Sequence, residues 1–458
     1  MVDNIETQET YFEELITAVN DRDRETFRDI FLTLHERDQQ ELFHLLYPEN
    51  KRKISEFLAP AEFAEIFEWM DIENQEDAVT YFPKEYIVEV FNNLPTDILA
   101  EFVSSNEERE IGTILQEMDE EELRRLREIM SYEFESAGSI MTKEYFFIYE
   151  EETTQQVIDR VREFGERAET IYYLYVVDKD HHLVGVLSLR DLLLAPVGTK
   201  VHDVMNAQAV SVFVNKDQEE AANIIQDYDL LAIPVVSYDN RLVGIITVDD
   251  IMDVIEREQD EDFQEFAGIS ASKSEEDNKE SPFVAAKQRT PWIIILLFLS
   301  MITGGLISFF EETLASVVSL AAFIPLIMGA AGNVGTQSLA VTLRNMASDA
   351  ADDSQNLRSI LFREMQSGAI IGAVSGVVIF GIVTLSYQNM ILAFIVGISI
   401  FLSITMAAVV GTLIPDIIQK MNFDPAVASG PFITTINDTL GLLIYFAIAT
   451  TLIGLLST

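Results

Sequence analysis

The feature that most constrains this chain is a set of long apolar runs in its last third. These runs occupy residues 291–310, 315–343, 365–415 and 425–458. A helix that spans a bilayer needs about 20 predominantly apolar residues. The third run is too long for one crossing and divides near Tyr387, so the sequence predicts five membrane-spanning helices.

The last apolar run contains one ionisable residue, Asp438, and no Lys or Arg. A carboxylate at the centre of a spanning helix costs about 2.5–3.5 kcal/mol on insertion scales. Such residues usually face water or a partner rather than lipid. We therefore expect Asp438 to face a path for cations. The alternative is a protonated Asp438 that is hydrogen-bonded inside a helix bundle.

The basic residues predict the orientation of these helices. If residues 1–280 lie in the cytoplasm, the loops after the first and third spans face outward and contain no Lys or Arg. All six basic residues of region 281–458 then lie on the inner side, in agreement with the positive-inside rule. The polar first ten residues do not have the pattern of a signal peptide.

The soluble part of the chain is strongly acidic. Residues 1–280 hold 24 of the 30 basic and 67 of the 76 acidic residues, which gives a net charge of −43. Such a surface repels nucleic acid and attracts cations, although solubility or adaptation to salt would also explain it. The chain has no cysteine, so disulfides and thiolate metal sites are excluded.

Several polar or helix-breaking residues lie within or beside the predicted spans. The segment 329–338 is rich in glycine and includes Asn333 and Gln337, so we expect it to break the second span. Pro415 is expected to end the fourth span, and Asp424 to start the fifth or to line its inner mouth. Carboxylate and amide oxygens favour a hard cation that keeps its water, such as Mg²⁺.

Residues 1–132 show helical periodicity with a loose repeat. The repeat places Pro60, Pro83 and Pro95 at about the first helical position and acidic residues in the first turn. Proline is tolerated there, and acid complements the helix dipole. The recurrence predicts an all-α domain of stacked helices.

Residues 133–262 change to short β-rich runs between helices, in two copies of about 133–199 and 200–262. Each copy ends in the same pattern, with Gly185, Ser188 and Asp191 in the first and Gly244, Thr247 and Asp250 in the second. On these residues the region resembles a tandem pair of cystathionine β-synthase (CBS) domains, which are α/β modules.

This resemblance implies a site for an adenosine nucleotide such as ATP. In the first copy, Ser188, Arg190 and Asp191 would contact the nucleotide, and Tyr173 would stack on its base. The alternative is that Ser188 only caps a helix. ATP hydrolysis is not expected, because the chain has no G-x-x-x-x-G-K-[ST] loop.

The second copy carries many carboxylates around and after its helix. Like charges at this density destabilise a fold unless they are protonated, separated or bridged by a cation. Carboxylate oxygens suit Mg²⁺ or Ca²⁺ rather than soft metals. A polar connector at 263–290 then leads to the membrane region at 291–458.

The whole architecture resembles the MgtE family of bacterial Mg²⁺ channels. The residues that carry the resemblance are Pro325, Gly332, Asn333, Gly335, Gln337, Asp424, Pro425, Ala426, Ser429, Pro431, Thr434, Asp438 and Gly441. The resemblance implies a homodimer in the bacterial cytoplasmic membrane with a pore on its two-fold axis. One departure is Gly430, where some members have Asn.

The resemblance also implies roles for individual residues. Asp438, with Asn333, Gln337 and Asp424, would form the pore ion site. Regulatory Mg²⁺ would bind Asp97, Asp217, Glu219, Asp229, Asp250, Glu258, Glu261 and Asp262.

The predicted function is Mg²⁺ uptake through a channel that intracellular Mg²⁺ closes and that ATP modulates at the CBS pair. The main alternatives are a secondary transporter coupled to Na⁺ or H⁺ and a channel for Co²⁺ or Mn²⁺. A membrane-tethered nucleotide sensor is less consistent with Asp438, Asn333 and Gln337. An enzyme is not expected, since the sequence shows no nucleophile–base pair.

Overall fold

The computed structural model describes residues 2–106, 109–165, 168–270, 282–348, 357–421 and 423–456. The chain forms two compact units, Met1–Ile255 and Glu256–Thr458. Part of the predicted connector, residues 271–281, lies outside the described residues.

The first half of unit 1 is helical, as the sequence predicts. Its helices are α1 (Val2–Asp21), α2 (Arg24–Phe31), α3 (Glu36–Leu45), α4 (Pro48–Lys51), α5 (Ile54–Phe57), α6 (Pro60–Glu68), α7 (Ile72–Tyr81), α8 (Lys84–Phe91), α9 (Thr96–Ser105), α10 (Arg109–Leu115) and α11 (Glu120–Ile129). Pro60 is the first residue of α6, whereas Pro83 and Pro95 are the N-caps of α8 and α9. Proline suits either position, because the N–H it lacks would have no partner within the helix.

Aromatic side chains build the core of this helical array. Phe67, Phe91 and Phe102 are fully buried and pack with ring centroids 5.5–6.0 Å apart, mostly edge to face. Aromatic pairs in this arrangement contribute about 0.5–1.5 kcal/mol beyond the burial of their area. The array is therefore a packed domain rather than a loose string of amphipathic helices.

The second half of unit 1 contains two similar α/β copies. The first copy contains β1 (Tyr145–Tyr149), α12 (Thr154–Phe164), β2 (Thr170–Val177), β3 (Leu183–Ser188), α13 (Leu189–Leu194) and α14 (Val201–Val204). The second contains β4 (Val212–Phe213), α15 (Gln218–Asp227), β5 (Ala232–Val236), β6 (Leu242–Thr247) and the start of α16 (Val248–Phe266), whose residues from Glu256 onward belong to unit 2. Each forms a three-stranded sheet with one parallel and one antiparallel pair. Helix α16 extends past residue 262, the end predicted for the CBS region.

The two copies exchange short segments. Thr142, at the start of the first copy, pairs with Ile245 of β6, and Asn206, at the start of the second, pairs with Val186 of β3. A Cβ atom on Gly185 would lie 2.8 Å from the Asn206 carbonyl oxygen. Glycine is therefore required in the repeated pattern, because a neighbouring backbone approaches closely.

Unit 2 contains the membrane region. Its helices are α17 (Pro282–Phe309), α18 (Glu311–Ser316), α19 (Ile324–Ser348), α20 (Leu357–Tyr387), α21 (Met390–Lys420) and α22 (Gly430–Leu456), with 3₁₀ turns at Val318–Phe323 and Pro425–Val427. Five helices in the described residues are long and apolar enough to cross a membrane, as predicted. Residues 282–288 belong to the first of them.

Two sequence expectations about these helices are wrong. The glycine-rich segment 329–338 does not break the second span, because α19 runs through it without interruption. Pro415 does not end the fourth span but lies inside α21, which continues to Lys420. Packing against neighbouring helices compensates for the low helix propensity of glycine and proline in both places.

Glycines allow the membrane helices to pack closely. On α20, Gly372 and Gly376 face the backbone of α21, and a Cβ at either position would lie 2.8 Å from a carbonyl oxygen of that helix. Close backbone approach of this kind is the usual basis of helix association in membranes. Tyr445 of α22 is fully buried and donates a hydrogen bond to the Leu320 carbonyl oxygen at 2.8 Å.

Candidate functional site

Asp438 lies on α22 and faces a glycine of α19. A Cβ atom on Gly332 would lie 3.1 Å from Asp438 Oδ1 and 2.7 Å from Thr434 Cγ2. Asp438 Oδ1 is buried and has no hydrogen-bond partner among the described residues. The carboxylate therefore keeps an unsatisfied acceptor inside the membrane unit. This differs from the hydrogen-bonded alternative considered above.

The neighbouring residue, Asn437, was missed by sequence reasoning. It is 1% exposed, and neither atom of its side-chain amide has a hydrogen-bond partner within the described part of the chain. Its amide packs on Gly335, where an added Cβ would overlap the amide nitrogen. The available signal was an amide beside the only acid of an apolar span. Asp438 and Asn437 thus meet α19 one turn apart.

Threonine pairs connect the helices around these residues. Thr336 of α19 and Thr434 of α22 share a hydrogen bond of 3.0 Å between their hydroxyl oxygens. Thr303 of α17 and Thr439 of α22 share one of 2.6 Å. Hydroxyl pairs of this kind hold membrane helices in register. Helix α22 is therefore fixed on both sides of Asp438.

Asn333 and Gln337, the other predicted pore residues, lie on a different part of α19. Both are exposed in the single chain and lie one turn apart on one helix face. In the described part of the chain neither is hydrogen-bonded to Asp438. The structure brings Gly332 and Thr434, rather than these two amides, next to Asp438.

The predicted inner-mouth residue, Asp424, lies beside the end of α16. Its Oδ1 accepts a hydrogen bond from the Ala426 N–H at 2.7 Å and caps the following 3₁₀ turn. Burial raises the pKa of the nearby Glu265 to about 7, and the charges of Asp424, Glu261 and Asp262 add to the effect. Glu265 Oε2 is buried without a hydrogen-bond partner.

Glu265 was also missed by sequence reasoning. It is one acid among many on an acidic helix, so its sequence gave no reason to single it out. Its importance comes from Asp424, which lies far away along the chain. Among the predicted regulatory residues, Asp262 and Glu261 contribute charge at this place, and Glu258 acts on Asp262.

A second carboxylate cluster lies within unit 1. Burial raises the pKa of Asp97 well above its usual value, and the charges of Asp250, Glu144 and Glu169 raise it further. Burial raises the pKa of Asp250 to about 6, although a hydrogen bond from Thr247 acts in the opposite direction. The structure therefore brings together Asp97 and Asp250, which are about 150 residues apart in sequence.

Glu68 of α6 joins this cluster. Burial raises the pKa of Glu68 to about 7, and the charges of Asp250 and Asp249 contribute. By contrast, Glu144 already has partners, since it accepts hydrogen bonds from Thr96 at 2.9 Å and Thr142 at 2.6 Å. Glu144 thus connects the helical array to the first α/β copy and is a poorer candidate for binding a metal.

The chemistry of the cluster suits a hard divalent cation, but its side chains do not converge on one point. Asp97 Oδ1 is buried without a hydrogen-bond partner in the described part of the chain. Carboxylate oxygens are the donors that Mg²⁺ and Ca²⁺ prefer. Among the described residues, Glu68, Asp97 and Asp250 do not bring three ligand oxygens within 4.8 Å of one another, so an ion held by all three requires their side chains to draw together.

The remaining predicted regulatory residues lie around α15. Asp217 is the N-cap of α15 and accepts a hydrogen bond from the Glu219 N–H at 2.8 Å. Asp229 follows the helix in a left-handed conformation, with φ of 50°, and is exposed. Asp217, Glu219 and Asp229 are not among the principal charges that act on Asp97.

A cavity of about 550 Å³ lies between the two α/β copies. It is lined by residues of both, including Tyr173, Tyr175, Asn206, Tyr228 and Pro234. Its volume and its aromatic lining suit a nucleoside-sized ligand. Tyr173 was predicted for this role, whereas Tyr228, exposed at the end of α15, was not.

The other predicted nucleotide residues adjoin Tyr173. Ser188 is paired with Tyr173 across the β2–β3 ladder. Ser188 Oγ accepts a hydrogen bond from the Asp191 N–H at 3.0 Å and donates one to Asp191 Oδ2 at 2.7 Å, so Ser188 does cap α13. Arg190 is exposed next to them. Helix capping and nucleotide contact remain compatible, since Ser188 and Asp191 are both partly accessible.

Comparison with known proteins relates the chain to one family. Residues 324–448 match the MgtE divalent cation transporter model, residues 13–135 match the MgtE intracellular N domain, and residues 137–198 and 201–257 match the CBS domain. The magnesium transporter MgtE of Enterococcus faecalis is 39% identical over 96% of this chain and 97% of its own length. That of Bacillus subtilis is 38% identical over 99% of both chains, and that of Thermus thermophilus 32% over 94% and 96%.

Two solved structures resemble the soluble part. The soluble part of a magnesium transporter aligns with a TM-score of 0.54 and 35% identity, over 55% of this chain and 99% of the other. The cytosolic domain of the Mg²⁺ channel MgtE in complex with ATP aligns with a TM-score of 0.50 and 33% identity, over 53% and 99%. These matches confirm the predicted fold class.

The raised pKa values predict how pH affects the soluble unit. Glu68, with a pKa of about 7 when folded and about 4.5 when unfolded, binds more protons in the folded state between these values. Stability without metal should therefore decrease as pH rises from about 4.5 to about 7. Denaturation of a soluble fragment that ends at Phe266, in the presence of a chelator, measures this dependence.

A pair of variants assigns the effect to the cluster. Glu68→Gln should flatten the pH dependence, whereas Glu85→Gln, at an exposed position on α8, should leave it unchanged. Added Mg²⁺ should restore stability near neutral pH in the wild-type fragment. Equal pH profiles for wild type and Glu68→Gln would contradict the assignment.

Proposed function

The chain belongs to the MgtE family of magnesium transporters, and from this premise we propose that Asp438 lines its ion path and that its soluble carboxylates close that path. As a member of the family it is a multi-pass membrane protein with Mg²⁺ as its transported substrate. Its full-length relatives are transporters rather than enzymes. The family and the membrane location predicted from the sequence are thus confirmed.

The main support for an ion path beside Asp438 is its buried carboxylate oxygen, which has no hydrogen-bond partner among the described residues. A buried carboxylate without a partner is costly, so a structural role alone would not favour it. Gly332 lets the backbone of α19 approach this carboxylate closely, and α22 is fixed there by threonine hydrogen bonds. Asp438 would hold a hydrated Mg²⁺ through its water molecules, because Mg²⁺ gives up water reluctantly.

A homodimer would complete the path. Asn333 and Gln337 are exposed on the single chain, although both are amides at membrane depth. Polar groups at that depth need a partner or a water-filled space. A second copy would provide both, with one Asp438 from each subunit facing the shared axis. We therefore retain Asn333 and Gln337 as pore residues.

Regulation would rest on two carboxylate clusters, Glu68 with Asp97 and Asp250, and Glu265 with Asp262 and Asp424. Burial is the main cause of the raised pKa values of Glu68, Asp97 and Glu265, and the charges of neighbouring acids add to it. Mg²⁺ bound there would neutralise the repulsion among these charges and favour the compact arrangement of the carboxylates. Without the ion, repulsion would separate the same residues and favour an open pore.

The CBS pair would bind ATP in the cavity between its copies. The related cytosolic domain was solved in complex with ATP. Tyr173 and Tyr228 would flank the adenine, Ser188 and Asp191 would contact the ribose, and Arg190 would face the phosphates. At the equivalent position of the second copy, Asp250 belongs to a carboxylate cluster, whose negative charge would repel phosphates. We therefore propose one nucleotide per chain.

Removal of the pore carboxylate tests the path. Asp438→Asn should lower Mg²⁺ uptake into proteoliposomes by more than about tenfold, because a hydrogen bond to a charged group contributes about 1.5–3 kcal/mol. Glu312→Gln, which removes an exposed acid of α18, should leave uptake unchanged. Unchanged uptake by a well-folded Asp438→Asn protein would contradict the proposal.

Neutralisation of the regulatory acids tests the closing mechanism. The triple variant Asp250→Asn, Glu258→Gln and Glu261→Gln should keep conducting at millimolar internal Mg²⁺ in patch recordings. A control variant, Glu85→Gln, Glu120→Gln and Glu163→Gln, removes the same charge from exposed positions and should stay inhibited. Normal inhibition in the first variant would refute the sensing role.

A neighbouring pair of tyrosines tests the nucleotide site. Tyr173→Ala should weaken ATP binding by about tenfold or more, since stacking on an aromatic ring contributes about 1–3 kcal/mol per base. Tyr172→Ala is the matched control, because Tyr172 points to the other face of β2 and is 63% exposed. Calorimetry with ATP compares the two. Equal losses in both variants would argue against stacking on Tyr173.

A further inference from the structure

Helix α16 ends at the start of α22. Gly268, with φ of 71°, follows the helix and donates a hydrogen bond to the Glu265 carbonyl oxygen at 2.9 Å. Ile269 donates one to the Gln264 carbonyl oxygen, also at 2.9 Å. These two bonds form a Schellman motif, which ends a helix at a defined residue. The position of Phe266, two residues before Gly268, is thereby fixed.

Phe266 and Gly268 pack on the first residues of α22, a set of interactions that we call the inner-mouth contact. A Cβ atom on Gly430 would lie 3.4 Å from the Phe266 carbonyl oxygen and 3.9 Å from its ring atom Cζ. One on Gly268 would lie 3.6 Å from Ser429 Oγ and 3.5 Å from Pro431. Ser429 is fully buried, and its hydroxyl has no hydrogen-bond partner among the described residues.

The same contact extends to α19. A Cβ on Gly430 would also lie 3.3 Å from Thr336 Cγ2, and Thr336 is hydrogen-bonded to Thr434, one turn from Asp438. Phe266 also packs against a buried cluster formed by Leu339, Ala428 and Ile433. Phe266 therefore packs against both helices that surround the Asp438 carboxylate.

Opposing forces act at this end of α16. The apolar contact of Phe266 holds the helix end against α22, whereas Glu265 and Asp424 are like charges at the same place. A cation that binds between the acids would leave the apolar contact unopposed, and its removal would weaken the contact. Such a balance is suited to a helix end that can lie either against α22 or away from it.

We propose that Phe266 is a positioning residue that holds α19 and α22 in the closed arrangement by packing on the side-chain-free surface of Gly430. This inference rests on the proposed closure by Mg²⁺ and specifies how α16 acts on the ion path. Phe266 touches no ion and lines no ion site. A Cβ at position 430 would lie 3.9 Å from the Phe266 ring, an ordinary contact, so a side chain larger than alanine is needed to displace the ring.

Truncation of Phe266 tests this inference in the full-length protein. Phe266→Ala should raise the internal Mg²⁺ concentration that half-inhibits conduction at least about fivefold. Coupling between two allosteric sites typically changes affinity by about 5-fold to 150-fold, and fivefold is the lower end of this range. Phe263→Ala is the matched control, because it removes the same side chain one turn earlier, where it is 71% exposed. Conduction at low internal Mg²⁺ should be similar in all three proteins.

A cysteine at position 429 provides a readout that does not depend on conduction. The chain has no cysteine, so Ser429→Cys is a single, nearly isosteric reporter under the inner-mouth contact. In detergent with Mg²⁺, maleimide labelling should be slow, and removal of Mg²⁺ should accelerate it. Adding Phe266→Ala should make labelling fast in both conditions, and adding Phe263→Ala should not.

A second variant changes the other partner of the inner-mouth contact, Gly430. Gly430→Leu should displace Phe266 and reproduce the effects of Phe266→Ala. Gly381→Leu serves as its control, since a Cβ on Gly381 would have no neighbour within 4 Å.

The outcomes separate this inference from the proposed function. If wild type is not inhibited by Mg²⁺, the proposed closure itself fails. If wild type is inhibited and Phe266→Ala behaves like Phe263→Ala in inhibition and in labelling, only the inner-mouth contact is refuted. If inhibition is lost but Ser429→Cys stays protected, Phe266 does not act by packing on Gly430, and the inference is overturned.

Discussion

The constraint on which this structure depends is the cost of keeping a carboxylate away from water. Asp438 in the membrane unit, Asp97 in the soluble unit and Glu265 at the end of α16 each keep a buried oxygen without a hydrogen-bond partner in the described part of the chain. Lys or Arg could have neutralised each of them, yet other acids surround Asp97 and Glu265 instead. A cation from outside the chain, as proposed above, would offset this cost.

The same logic explains the uneven distribution of charge. Most acidic residues lie before residue 281, where many are exposed and contribute mainly to solubility and to the local concentration of cations. Only a few, such as Glu68, Asp97 and Asp250, are brought together with raised pKa values. The proposed sites therefore involve few residues, although the acidic surface that surrounds them is large.

Much of this organisation could be predicted from the sequence, because it depends on local pattern. Four apolar runs that make five spans, a repeated pattern of glycine, hydroxyl and acid, and one acid in a span are visible without coordinates. Asn437 and Glu265 were missed because their significance comes from Gly335 and Asp424, which are distant along the chain. The expected break in α19 failed for a related reason: packing partners supply the stability that its glycines lack.

The exchange of segments between the CBS copies has a consequence for the history and the integrity of the chain. Thr142 completes the sheet region of the second copy, and Asn206 that of the first, so neither copy is complete alone. An ancestor with a single copy would have needed a second polypeptide to cover the same backbone groups. In the present protein, a cut in the loop between the copies would leave the two fragments interlocked, because each still holds a part of the other.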